Sequence, residues 1–322
     1  FDAHRDGDFR PYVYRTRDFG ASWDLITDSI SDSPLSYCRM IKEDPFRPGL
    51  LYLGTENALY LSFNEGDTWQ SLMTNLPASP MYWMDIPEHF NDLVVGTYGR
   101  GIWILDDLTP IQQFSDEVAS SPLHLFDPKD AYRLQPVSSV MQFFKEASFG
   151  DDPPAGTSLH YWQSGEMDDG VKLIIANEAG EAIRTIEHEG KPGINRVWWD
   201  FKEDPTTELV LRTQPIYADW YPMKDDGTRE PVVKPISLKA SPGVYSVTLK
   251  AGEVEQTHSF ELLKDPNSEG SLADIREQKT LLDKIRADFE EISIAVNQAE
   301  KIRRQLHDLM PMVPEEMQAE LK

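Results

Sequence analysis

Apolar and polar positions along the chain fall into two regimes. Through about residue 263 the apolar residues come in short bursts closed by Gly, Pro, Asn or Asp, the pattern of short strands joined by tight turns. Leu50-Leu51-Tyr52-Leu53, Leu93-Val94-Val95 and Ile102-Trp103-Ile104-Leu105 are such bursts. Further strands are predicted at 159–162, 171–176, 182–187, 196–201, 243–250 and 257–263, with Glu178-Ala179-Gly180-Glu181 as a hairpin turn. From Ser271 the period changes. Leu282, Ile285, Phe289, Ile292, Val296 and Ala299 step by three and four, which predicts one long amphipathic helix with those residues on its buried face. Leu306 and Met310 continue the stripe and Arg303 interrupts it, so the helix is read as packing within its own chain rather than as a dimeric coiled coil. Pro311 and Pro314 end it, and Pro314-Glu315-Glu316 is placed to start a second helix of a hairpin.

A repeat organises the first hundred residues. Thr16-Arg17-Asp18-Phe19-Gly20-Ala21-Ser22-Trp23 and Ser62-Phe63-Asn64-Glu65-Gly66-Asp67-Thr68-Trp69 share the pattern Ser/Thr-x-Asp/Asn-x-Gly-x-x-Trp, 46 residues apart. Each position has a turn-making role. Asp18 or Asn64 folds onto nearby backbone N–H groups, and Gly20 or Gly66 takes a positive φ. Trp23 or Trp69 opens the next strand as a core ring. Gly54-Thr55 recurs as Gly96-Thr97 after 42 residues. A period in the forties with several short strands per unit predicts β-propeller blades. Residues 1–108 hold about two and a half units, too few to close a ring, so the remaining blades are expected elsewhere.

The two motifs resemble Asp-box (BNR) repeats, shared by sialidases, xyloglucanase-type glycoside hydrolases and the sortilin receptors. Phe1-Asp2-Ala3-His4-Arg5-Asp6-Gly7-Asp8-Phe9-Arg10-Pro11-Tyr12-Val13-Tyr14 and the stretch from Asp92 through Gly99-Arg100-Gly101-Ile102-Trp103 to Asp107 look like the end of the propeller in large bacterial sortilin-like proteins often labelled "glycosyl hydrolase". Those relatives commonly carry His where this chain has Tyr98. Asn195-Arg196-Val197-Trp198-Trp199-Asp200 and Ser241-Pro242-Gly243-Val244-Tyr245 resemble immunoglobulin-like modules that follow bacterial extracellular enzymes. The expected fold class is therefore mainly β. Propeller blades occupy 1–108 and a packed connector 109–156. A β-sandwich follows at 157–264 with an insertion at 204–240 and a hairpin tip near Asp225-Asp226-Gly227, then a helical segment at 265–322.

Composition narrows the function classes. Across 322 residues, 55 Asp+Glu against 31 Lys+Arg give a net charge of −24, a field that repels nucleic acid. The lone Cys38, between Tyr37 and Met40, reads as a buried strand thiol and leaves no internal disulfide. No stretch is apolar enough to span a membrane. The chain starts in mid-phrase at Phe1, so we expect it to be cut from a longer precursor with a signal peptide upstream, and to be secreted, periplasmic or on the cell surface.

Candidate chemistry is sparse. The seven histidines are scattered, no zinc spacing or phosphate loop occurs, and no metal or cofactor is expected. The polar run His4, Arg5, Asp6, Asp8 and Arg10, together with Arg100 between two glycines, is the candidate ligand-binding set; as a structural alternative, the run is a connecting loop with mutual ion pairs. Thr16, Asp18, Gly20, Trp23, Ser62, Asn64, Gly66 and Trp69 are read as structural, and no residue as catalytic. Trp198-Trp199 offers an aromatic platform for a sugar, though neighbours on a strand face opposite ways. The expected function is an extracellular propeller and sandwich scaffold, non-catalytic within this chain. Its partners are the rest of the propeller and a protein, peptide or glycan ligand. The alternatives are a glycoside hydrolase, xyloglucanase- or sialidase-like, with its catalytic residues on missing blades, and a structural subunit of a cell-envelope assembly.

Overall fold

The computed structural model describes residues 1–134, 153–167 and 170–314. The chain is mainly β, with one long helix near its end, and divides into two compact units. The first comprises residues 1–127, 160–165 and 192–195; the second comprises 128–159, 166–191 and 196–322.

The first unit opens with a 3-10 turn at His4–Asp6 and three antiparallel sheets. Strands β1 (Tyr14–Arg15) and β2 (Asp24–Leu25) form a two-stranded ribbon. β3 (Cys38–Glu43), β4 (Leu51–Thr55), β5 (Leu59–Ser62) and β6 (Gln70–Ser71) form a four-stranded meander. β7 (Met81–Asp85), β8 (Leu93–Thr97) and β9 (Ile102–Leu105) form a three-stranded one. Tyr52, Leu59, Met81, Met84, Leu93 and Val95 join the last two in one core, completely or almost completely buried. Gly54 is where the two sheets meet: a Cβ there would fall 2.8 Å from both Cβ and O of Met81. Burial pushes the Cys38 thiol up to about 11, as for an inert strand cysteine.

The repeated turns share one hydrogen-bond scheme. The hydroxyls of Thr16 and Ser62 accept from the N–H groups of Gly20 (2.8 Å) and Gly66 (2.9 Å). The Oδ1 atoms of Asp18 and Asn64 accept from the N–H groups of Ser22 (2.8 Å) and Thr68 (2.9 Å). Phe19 and Glu65 both take φ of 57°, and Gly20 and Gly66 follow at 93° and 90°. The tryptophans part company. Trp69 is 7% exposed, sits among Val13, Ile26, Ile30 and Leu53, and donates from Nε1 to the Ile26 carbonyl at 2.6 Å. Trp23, expected in a core, is 58% exposed and lines an open hollow with Phe1 and Tyr14. The reason lies in what covers each ring. Residues flanking the first turn cover Trp69, and the described residues set no corresponding segment over Trp23.

The described part of the connector is built rather than slack. Helices α1 (Thr109–Gln113) and α2 (Asp116–Ser120) lead to β10 (Leu123–Leu125), and β11 (Ala131–Arg133) follows. Arg47 donates to the carbonyls of Ile111, Gln112 and Phe114 at the end of α1, while Gln112 bonds Asp44 and Asn91 from the two sheet systems. Met141-Gln142-Phe143-Phe144 lies outside the described residues. The strand β12 (Thr157–Gln163) pairs with β10 through Tyr161, Trp162 and Gln163.

The second unit centres on a five-stranded sheet. Its strands are β11, β13 (Val171–Ala176), β14 (Ala182–His188), β16 (Gly243–Ala251) and β17 (Val254–Lys264), in the order β11-β17-β16-β13-β14; β15 (Gly193–Trp199) contributes its last four residues to this unit. Leu173, Ile175, Val247, Leu249 and Leu262 share its inner face at 0% exposure, alternating with outward polar residues as half-buried strands do. Trp199 lies wholly buried against Phe201, Tyr245 and Phe260, while Trp198 is half-buried.

Helix α3 (Leu272–Leu309) starts at a capping box made by Ser271 and Asp274. Its buried side differs from the one the periodicity predicts. Leu282, Phe289 and Val296 are half-buried, but Ile285, Ile292 and Ala299 are exposed, and the most buried helix residues are Ser293 and Glu300. The cause is the extended segment 203–213, which runs beside the helix with its backbone polar groups turned to it. Glu290 accepts from Thr207 N, Asn297 Oδ1 from Val210 N, and Glu300 from the amides of Arg212 and Thr213. Arg286 donates to the Asp204 carbonyl, and Lys279 bonds Glu203 at 2.8 Å. A strand-like partner without a sheet needs polar side chains for its N–H and C=O groups, and α3 supplies them. The Asp225-Asp226-Gly227 tip is a tight turn, with Gly227 at φ of 75°. The proposed second helix, which Pro314 is placed to start, would run through residues 315–322, outside the described residues.

Candidate functional site

Two β-bulges build the most conspicuous surface of the first unit. The register of β3 against β4 slips between Cys38 and Met40, opposite Gly54-Thr55. That of β7 against β8 slips between Met81 and Trp83, opposite Gly96-Thr97. The recurring Gly-Thr of the sequence thus marks the partner of each bulge. A bulge re-aims the extra side chain, here Arg39 in one sheet and Tyr82 in the other. The Arg39 guanidinium lies 4.9 Å from the Tyr82 ring centroid and 4.7 Å from that of Tyr37. His4 stacks on Tyr37 at 4.7 Å and 14°, and Tyr98 adjoins Tyr82 at 5.8 Å. The result is a continuous ladder: His4, Tyr37, Arg39, Tyr82, Tyr98.

Its two acids are committed. Glu56 Oε2 accepts from Arg39 Nε at 2.7 Å and lies 2.6 Å from Nη2, and Nη2 also donates to the Tyr37 hydroxyl. Burial disfavours the Arg39 charge, but Glu56 overcomes it and raises the arginine's pKa. Asp2 Oδ1 meets His4 Nδ1 at 2.6 Å; partial burial works against the carboxylate, and the bonds to His4 still lower its pKa. The inner rungs are fixed, while Tyr82 and Tyr98 are 51% and 72% exposed. Such a surface offers π faces, two phenolic hydroxyls and a guanidinium edge, a composition suited to recognition.

Of the sequence-predicted ligand set, only His4 enters this ladder. Asp8 is bonded by Arg10, through Nε at 3.0 Å and Nη2 at 2.6 Å, and by the Tyr12 hydroxyl at 2.7 Å; these bonds hold its carboxyl well below the usual range. Arg10 also lies over the Tyr12 ring. Arg5 and Asp6 are exposed on the 3-10 turn, and Arg100 is exposed at the β8–β9 turn, where its carbonyl accepts from Trp103 Nε1. Tyr37, Arg39 and Tyr82 lie outside that predicted set. The available signal was an aromatic or basic residue just before each Gly-Thr partner strand, legible only with the pairing register in hand. Among the described residues no group of three or more His, Cys, Asp or Glu is placed to hold a metal ion, and no helix is long and apolar enough to cross a membrane.

No protein-family profile matches the chain, and no curated protein does. Among solved structures it is similar to PorZ, an essential bacterial surface component of the type-IX secretion system of Porphyromonas gingivalis. The identity is 13% and the TM-score 0.23; the match covers 79% of this chain but only 25% of that one.

Proposed function

We propose that this chain is the non-catalytic part of an extracellular or cell-surface scaffold that docks a protein or peptide. In this reading residues 1–108 are the last blades of an Asp-box β-propeller, and the sheet of the second unit is an immunoglobulin-like module. The observation that carries the binding role is the ladder. Its inner rungs are locked by Glu56 and Asp2, and its outer rungs, Tyr82 and Tyr98, stand in solvent. Tyr and Arg in a fixed cluster are a composition of binding hot spots. The congruent turns at Asp18 and Asn64 and the paired bulges opposite Gly54-Thr55 and Gly96-Thr97 support the repeat.

The test is selection of a random-peptide phage library on the purified chain and on a Tyr82→Ala/Tyr98→Ala variant. Peptides should enrich on the parent and lose at least tenfold in affinity on the variant, whose melting temperature should be unchanged. Turnover of aryl glycosides or xyloglucan by the chain, abolished by changing one acid within 1–108, would overturn the scaffold reading in favour of a hydrolase.

A further inference from the structure

The pairing registers match two sheets of the first unit position for position. Met40, Gly54, Leu59 and Leu61 of β3–β5 correspond to Trp83, Gly96, Ile102 and Ile104 of β7–β9. In each sheet these four share one face, since residues opposed across a ladder, or two apart on a strand, point the same way. In the first sheet that face is covered. Leu59 and Leu61 are 2% and 6% exposed, in one core with Met81, Met84, Leu93 and Val95 of the second sheet. In the second sheet the matching face is bare. Trp83 is 67% exposed, and Ile102 and Ile104 stand in solvent beside it on the same side.

The two glycines show what covers such a face. Neither Gly54 nor Gly96 has a positive φ, so backbone conformation does not demand either. Gly54 is bare because Met81, on the first strand of the next sheet, leaves no room for a Cβ. At Gly96 a Cβ would meet, among the described residues, only its own sheet, with Trp83 Cβ at 3.6 Å and O at 3.7 Å. Gly96 therefore keeps open the space that Met81 fills at Gly54.

We infer that this face of β7–β9 docks a further antiparallel sheet of the same repeat, whose first strand lays a side chain over Gly96. Stacked repeats bury their faces against neighbouring repeats, and the contact of β3–β5 with β7–β9 is the pattern for this one. The inference rests on the repeat reading of residues 1–108 and not on the ligand of the ladder. A second copy of the chain does not supply the sheet. Its β7–β9 is already engaged by β3–β5 through Met84, Leu93 and Val95, and its β3–β5 by the first ribbon through Leu53. Its β1–β2 ribbon is two-stranded, with no strands in the places of β7 and β8. The sheet is therefore one from outside residues 1–322.

The chain's own repeat serves as the probe. A second copy of residues 62–104 is inserted between Ile104 and Leu105 of the full chain, so that Ser62 follows the strand as it does in β5. Hydrogen exchange should show the inserted β7 and β8 amides protected like the native ones. In the unextended chain Gly54→Ala should lower the melting temperature by several degrees, and Gly96→Ala should not. In the extended chain Gly96→Ala should lower it too, because the inserted Met81 now lies above that position. An unprotected insert, or a Gly96→Ala effect that is the same with and without it, would overturn the inference. Peptide binding at Tyr82 and Tyr98 is measured on the unextended chain, so either reading can fall without the other.

Discussion

Trp69 and Trp23 occupy the same place in two nearly superimposable turns, yet only one ring is out of water. The difference predicts unequal costs of truncation. Trp69→Ala should destabilise the first unit by about 3–5 kcal/mol in urea denaturation, the range for removing a buried large aromatic. Trp23→Ala should change stability by no more than about 0.5 kcal/mol, as surface substitutions do. Asp18 and Asn64 make a second contrast. The Ser22 hydroxyl and amide, with Thr16, hold the Asp18 carboxyl at about 2, below the ordinary 3.8. A depressed carboxyl contributes stability that is fully present above its unfolded pKa and is lost as pH falls through the folded one. The first turn should therefore weaken between about pH 4 and pH 2, and Asp18→Asn should remove that dependence. Carboxyl-resolved NMR titration, with unfolding measured across the same window, checks both. These turns were legible in the sequence because the bonds that the two turns share span only four residues.

Elements were legible to a different depth. Strand positions followed from bursts of apolar residues, since alternation is a local property of the pleat. The bulges at Arg39 and Tyr82 did not, because an extra residue exists only relative to a partner strand, and Gly54 owes its identity to the approach of Met81 from the next sheet. For α3 the period was readable and the buried face was not. Its buried side holds Ser293, Asn297 and Glu300 because the extended segment against it demands acceptors, and no hydrophobic count anticipates such a partner. Burial opposes the Glu300 charge, yet the amides of Arg212 and Thr213 keep its pKa below that of an ordinary glutamate. Glu300→Ala should leave those two amides unpaired and cost about 2 kcal/mol, within the range for hydrogen bonds to a charged group. Hydrogen exchange should report it as lost protection at Arg212 and Thr213, with β16 and β17 unaffected.

For the molecule as a whole, the charge of −24 sets the response to salt. Self-repulsion among 55 acids is screened as ionic strength rises and the Debye length shortens. The melting temperature should increase from 20 to 200 mM NaCl; a decrease would mean that the ion pairs, such as Lys172 with Glu187 and Lys250 with Glu255, outweigh the general repulsion. Among the described residues β9 is an edge strand, which bears on solubility too. Ile102 and Ile104 are 73% and 58% exposed, whereas the equivalent strand β5 is covered by β6. An uncovered edge of this kind invites pairing with other chains. Ile104→Lys should slow aggregation in light-scattering assays with little change in melting temperature.

The socket around Trp69 also gives the first unit an order of assembly. Ile26 and Ile30 precede Trp69 in the chain, and Gly66 is bare because Ile26 already fills the space its side chain would take. On a ribosome, where earlier residues emerge first, the socket is available before the ring that plugs it. The segment after the first turn is then in place for the second, and a fault in residues 24–30 would be felt by a tryptophan forty residues downstream.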